Sequence, residues 1–389
     1  MKTTLKQKLD TLYKKIGLSE DPITRWLIAM VAMAVLVALF GYFFYQRTHL
    51  FDAYQVLSTA EESDLEDTQY TMLGDYVIKY SHEGVSAVDL QNQIQWSVAY
   101  SVQTPICDVC GSSMVIAEQQ GTQVYVLGSS GLTGSFNVSL PIRKAYVASN
   151  GVTALVMDDT DVSWIKLYDT AGTEIVSLKT TMSETGYPMD IAITPNARKM
   201  MVSYLGTDGG NLTGTIAFYD FSSAESEEGH LVNSYQYTDT VFPEVYYAGD
   251  TTPVAVGDNC YAVFTSDNNP RLKKMTEIDR EIVSCFHDES NIGFVFHSSD
   301  TQIRYDMEVY SYSGKKTMST TCSFEYTGIR MEDGEILLYD SRNLNIWRLS
   351  GRQKLAVDYE KEVRYFEPIS GLRKYLVITG SSMDQIRLK

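Results

Sequence analysis

The chemistry-bearing residues of this sequence are few and widely spaced. Cys107 and Cys110 (CDVC) form a C-x-x-C. A redox-active pair of this spacing needs a depressed thiol pKa, such as a helix N-terminus supplies. This copy lies in a β-rich run, where residues i and i+3 point to opposite faces. No second C-x-x-C follows to complete a zinc site. The pair reads as buried structural thiols. Cys260, Cys285 and Cys322 are isolated, and an odd total of five argues against a full disulfide framework.

The five histidines, His49, His82, His230, His287 and His297, are scattered. His287 and His297 fall in neighbouring strands and make a conceivable metal pair, but no third ligand accompanies them. Asp158, Asp159 and Asp161 (DDTD) offer hard oxygens to Ca²⁺, yet the D-x-D-x-D-G spacing is absent and a solvated hairpin tip fits them better. Asn137 and Asn211 begin N-x-S/T sequons, which carry meaning only in a glycosylating host. G-x-S-x-G, H-E-x-x-H, P-loop and G-x-G-x-x-G motifs are all missing. No catalytic, cofactor-binding or metal-ligating set is predicted, and no cofactor.

The elements that would position such residues begin with a membrane segment. Trp26 to Tyr45 runs without a charge, and twenty helical residues span the roughly 30 Å hydrocarbon core. Lys2, Lys6, Lys8, Lys14, Lys15 and Arg25 precede it, whereas from Arg47 to Asp67 the only Lys or Arg is Arg47. The basic side stays in the cytoplasm, so the C-terminal bulk is expected outside. The apolar run exceeds a signal-peptide h-region and no A-x-A site follows, which favours an uncleaved signal anchor. In the stub, Leu5, Leu9, Leu12 and Ile16 follow helical spacing, which suits either an amphipathic helix on an anionic membrane surface or a plain lead-in. The net charge of −17 argues against DNA and RNA partners.

Beyond Thr68 the sequence is an array of short β-rich runs broken by Gly, Asp, Asn and Ser. One strand type recurs, anchored at Val88, Leu127, Tyr168, Tyr219, Phe264, Tyr310, Trp347 and Leu388, with spacings of 37 to 51 residues. Gly131, Gly172, Gly314 and Gly351 each lie four residues after an anchor, which suits the positive φ of a tight hairpin. A period in the low forties is that of a four-stranded propeller blade. One unit reads as strands Arg143–Ser149, Val152–Asp158, Trp164–Asp169 and Glu174–Lys179. The longest spacing is put down to an acidic insertion, Ser222–Gly229. The last unit lacks its outer strand, and Asp52–Ser58 is the segment expected to supply it and remove the exposed edges.

The unit Tyr76–Trp96 resembles the quinoprotein-like (PQQ-like) propeller repeat, with Glu83-Gly84, Val85–Asp89 and Trp96 in the places of its turn, strand and tryptophan. Ala192–Leu205 resembles the WD40-like strand-turn of periplasmic translocation-type and lactonase-type propellers, but carries Asn196-Ala197 in place of Asp-Gly. As a whole the chain resembles a family of membrane-anchored propeller proteins from Gram-positive anaerobes that has no assigned function. The resemblance implies anchor and fold, and transfers no active site.

The prediction is therefore an all-β β-propeller of eight blades, with seven as the alternative, preceded by a single transmembrane helix. Residues 1–25 form a cytoplasmic basic stub, 26–46 the signal anchor, 47–67 a juxtamembrane segment with an acidic linker (52–58 the closing strand), and 68–389 the extracytoplasmic propeller. The expected function is a non-enzymatic binding or scaffolding module for a protein or envelope partner, with no nucleic-acid partner. The alternative is an extracytoplasmic enzyme of quinoprotein or hydrolase type with a central-channel site. Trp96, Trp164 and Trp347 fall in repeat strands and offer no evident stacking pair for a quinone.

Overall fold

The recurrent strand of the sequence is the third strand of a four-stranded antiparallel sheet. In a computed structural model, which describes residues 22–222 and 230–389, eight such sheets follow one another. The strands of each blade are lettered A to D from the inside out. The A strands are Gln69–Leu73, Pro105–Cys110, Ile142–Val147, Tyr187–Ile193, Glu244–Ala248, Ile282–His287, Gly328–Glu332 and Val363–Pro368. The D strands are Ile94–Ala99, Gly131–Asn137, Glu174–Thr181, Leu231–Thr238, Leu272–Glu277, Lys316–Cys322, Gln353–Asp358 and, for blade 8, Tyr54–Glu61. The unit read strand by strand is blade 3, observed at Ile142–Val147, Thr153–Asp159, Val162–Tyr168 and Glu174–Thr181.

The anchors have a common structural cause. In blades 1 to 7 the C–D ladder slips by one residue at the anchor itself, as at Ala87/Val88, Leu167/Tyr168 and Ile346/Trp347. Such a bulge bends the strand and raises its right-handed twist. Gly172 closes the turn after Tyr168 at φ 82°, with the Asp169 carboxylate accepting the N–H groups of Ala171 and Thr173 at 2.9 and 2.7 Å. Anchor, bulge and positive-φ glycine are thus one turn device, complete in blades 2, 3, 6 and 7.

Each blade interface holds its own apolar cluster, and there are eight of them. The one that decides the blade number joins Tyr365, Leu376, Ile378 and Met383 of blade 8 to Val77 and Val88 of blade 1. The ring is closed by Tyr54–Glu61, which runs antiparallel to Ser382–Leu388 from Tyr54↔Leu388 to Glu61↔Ser382. It overlaps the expected Asp52–Ser58 and extends beyond it.

Two expectations need correction. The acidic linker expected within 47–67 is not wholly a linker. Ala60 and Glu61 belong to the closing strand, and the Glu62 carboxylate is buried against Lys79, itself only 6% exposed. Lys79 supplies the counter-charge that lets a carboxylate leave water, so the propeller begins at Phe51 rather than Thr68. The 51-residue spacing also has another origin, because the acidic insertion follows Tyr219 instead of preceding it. The length lies in blade 4, whose Lys199–Asp208 and Asn211–Asp220 are ten residues each. Residues 223–229 of that insertion, and the stub up to Asp21, lie outside the described residues.

Within the N-terminal unit, Met1–Leu50, the described residues hold one helix, Pro22–Thr48. Pro22 suits a first helical position because its fixed φ matches the helix. Its large apolar side chains, Trp26, Val31, Leu36 and Phe40 among them, are exposed. Among the described residues no helix is long and apolar enough to cross a membrane.

Candidate functional site

The inner strands bring most of the polar groups to the blade seams, where they bind one another. Asp190 of blade 4 accepts Lys144 Nζ at 2.6 Å, the Tyr146 hydroxyl, and on its other oxygen the Val245 N–H at 2.8 Å. Blades 3, 4 and 5 are thereby tied by one carboxylate. Asp108 accepts the Val147 N–H at 2.8 Å, and burial pushes its pKa up to about 6. Arg330 pairs with Glu367 between blades 7 and 8. Buried polar groups satisfied in this way hold structure, with little left for chemistry.

The candidate residues of the sequence are not brought together. Cys107 and Cys110 sit opposite Ile116 and Ser113 in the blade 2 A–B ladder, and burial raises both thiols above the ordinary range. Such thiols are poor nucleophiles. His287 ends the A strand of blade 6, and His297 ends the neighbouring B strand at its opposite end. Asp158 accepts the Ser163 hydroxyl at 2.8 Å and lies 3.4 Å from Arg143, whereas Asp159 and Asp161 are exposed at the hairpin tip. Among the described residues no group of His, Cys, Asp and Glu is placed to hold a metal. Trp96 Nε1 donates to Ser129 O at 3.0 Å and so bridges blades 1 and 2, while Trp164 and Trp347 lie in C strands.

Sequence reasoning missed a different cluster. The A–B turns of blades 5, 6 and 7 surround a cavity of about 500 Å³ carrying Asp250, Asp288, Glu289, Glu332 and Asp333. No Lys or Arg lines it. Gly249 and Asp250 both have positive φ, as do Asp333 and Gly334, which is the backbone of a two-residue hairpin. The turn thrusts the carboxylate outward while its backbone is spent on the ladder. Asp288 caps its own turn through the N–H groups of Ser290 and Asn291, both at 2.7 Å. Burial, with Glu367 and Asp333 nearby, raises Glu332 above the usual carboxylate range. His287 stacks on Tyr246 with centroids 3.6 Å apart, and its Nε2 lies 3.3 Å from Glu244. A second cavity, of about 620 Å³, adjoins the first through Tyr247 and Asp250. Its Lys199 is held by Ser266 O, Asp267 O and Asn268 Oδ1 at 3.1–3.3 Å. The signal was present in the repeat phase, since AGDTT, HDESN and MEDGE occupy one position of three successive units.

The model of the DUF5711 family, a family of unknown function, matches residues 46–388. The chain belongs to that family. The match takes in the closing strand and all eight blades. No curated protein matches the chain. Among solved structures it is similar to BamB from Moraxella catarrhalis, at 14% identity and a TM-score of 0.54, covering 86% of this chain and 100% of that one. It is also similar to a eukaryotic initiation factor, at 12% identity and a TM-score of 0.50, covering 84% of each. At these identities the likeness bears on the propeller fold alone.

Proposed function

We propose that the chain is a docking module, held outside the cytoplasmic membrane by its N-terminal helix, whose acidic mouth receives a basic segment of an envelope protein. The observation that carries the docking reading is the mouth itself. Three turns from three blades converge five carboxylates on one cavity whose lining holds no cation. A site of one sign attracts and orients a partner of the other. Asp108, Asp190 and Glu367 of the inner strands are engaged at the seams, which speaks against the rival reading of a central-channel enzyme.

The anchor reading is supported by the charge-free run from Trp26 to Tyr45, by the exposed apolar side chains around it, and by the six basic residues that precede it. The resemblance to membrane-anchored propellers of Gram-positive anaerobes points the same way.

Fluorescence anisotropy with a labelled Lys/Arg-rich peptide tests the mouth, with a Glu-rich peptide as control. Saturable binding of the basic peptide is expected, weakened tenfold or more in the triple variant Asp250→Asn, Glu289→Gln, Glu332→Gln. An unchanged affinity in that variant would sink docking at the mouth. Titration with quinone and Ca²⁺, followed by absorbance, tests the rival, and turnover of an alcohol or sugar would establish an enzyme instead.

A further inference from the structure

A meandering sheet places its A–B and C–D turns on one face of the ring and its B–C and D–A connections on the other. The two faces differ in charge. The B–C side carries Asp159, Asp161, Asp239, Asp258, Asp300 and Asp340, all exposed or half-exposed. On the other side, the outer rim of blades 5 to 8 is basic. Lys273 and Lys274 begin the D strand of blade 5. Lys315 and Arg352 lie in the C–D turns of blades 6 and 7, and Arg387 and Lys389 end the chain in blade 8. All six are exposed, and none enters an ion pair among the described residues. They stand against the trend of their domain, which from Phe51 onward has 25 basic and 46 acidic residues, a net of −21.

The arc is continuous because each C–D turn leans on the preceding blade. A Cβ on Gly314, next to Lys315, would run into the Lys274 side chain. Thr320 of blade 6 donates to Gly351 O at 3.3 Å, beside Arg352. Set against the cations on this rim are Asp52, the α-carboxylate carried by Lys389 in the 51–389 domain, and Asp267, the last 3.4 Å from Arg271. The five carboxylates of the mouth lie inward of it on the A–B turns.

The chain enters the domain at this same rim. Phe51 N donates to Lys354 O at 2.8 Å, and Lys389 N donates to Ala53 O at 3.0 Å. We infer that the basic rim of blades 5 to 8 is a contact surface for an anionic lipid bilayer. The inference rests on the anchoring proposed above, since only an anchor N-terminal to Phe51 makes a bilayer the nearest polyanion to this rim. Screening lets the rim act alone. Strands of five to ten residues separate the two faces by roughly 17–33 Å, well beyond a Debye length of about 8 Å. The acidic B–C face is too distant to cancel the attraction and is turned away from the lipid. At the C–D ends of blades 1, 3 and 4 stand Asp89, Asp169 and Asp220 instead.

The test uses the propeller alone, residues 51–389, within which the eight sheets, the closing strand and every blade interface are complete. Co-sedimentation is measured with phosphatidylglycerol–phosphatidylcholine vesicles and with pure phosphatidylcholine vesicles. Binding to the anionic vesicles that high salt removes is expected, with none to the neutral ones. Each cation near such a surface is worth roughly fivefold in partitioning. The variant Lys315→Gln, Arg352→Gln, Lys389→Gln should therefore bind about a hundredfold more weakly. The variant Lys179→Gln, Arg304→Gln, Arg342→Gln loses the same charge off the rim and should bind as the parent does. Equal binding by the two variants, equal binding to both vesicles, or no binding to either would overturn the inference. Salt-sensitive binding to soluble polyphosphate without binding to vesicles would overturn it in favour of a polymer ligand. Because this domain carries no anchor, a failure of the anchor reading registers separately, in protease protection of the full chain.

Discussion

One oxygen of Asp190 accepts the Val245 N–H at 2.8 Å while the other binds Lys144 and Tyr146, so a single carboxylate joins three blades. The residue is 5% exposed. Lys144 is a third exposed and can turn to water, but removing Asp190 strands the Tyr146 hydroxyl and the Val245 N–H, which together cost about 3–5 kcal/mol. Asp190→Ala should lower the unfolding free energy by about that amount, read from the urea midpoint at unchanged slope. A loss under about 1 kcal/mol would show that the blades are held by their apolar clusters alone.

Asp108 predicts a pH dependence of definite sign. Burial raises its folded pKa to about 6, above an unfolded value near 3.9. The folded state therefore binds the proton more tightly. The stabilisation this group gives is fully present below about pH 4 and lost as pH rises through about 6. Asp108→Asn removes the titration while its amide oxygen still accepts the Val147 N–H. The variant should gain stability relative to the parent between pH 4 and pH 7, measured by urea unfolding at both. A constant difference across that window would contradict the assignment.

The closing strand predicts the outcome of truncation. A domain begun at Thr68 loses the ladder from Tyr54↔Leu388 to Glu61↔Ser382, and Lys79 loses Glu62. It exposes the edge of Ser382–Leu388, a template for pairing with other chains. It should melt at least about 10 °C below the domain begun at Phe51 and should self-associate, by calorimetry and light scattering. Equal melting temperatures would mean that another segment closes the ring.

The proposed topology predicts the pattern of proteolysis. With six basic residues ahead of the apolar run, protease added to intact, wall-stripped cells should degrade the propeller and spare the N-terminal stub. Protection of the propeller would reverse the orientation.

The sequence by itself determined the blade architecture, because its evidence was local. The anchors at Tyr168 or Tyr310 and the glycines four residues later encode a bulge and a positive-φ turn, and both are written within a few residues of chain. Periodicity carried the rest, so the blade period and the location of the closing strand were legible in the chain alone. What only the tertiary structure decided depends on packing between distant residues. Eight blades rather than seven follows from the cluster that joins Ile378 to Val77 across the seam. The reassignment of Glu62 from acidic linker to buried ion pair follows from Lys79, a partner on another strand. The acidic mouth was spread over three repeats, from Asp250 to Asp333. Each carboxylate there is an ordinary hairpin residue in its own turn, and only the closure of the ring sets the three turns around one cavity.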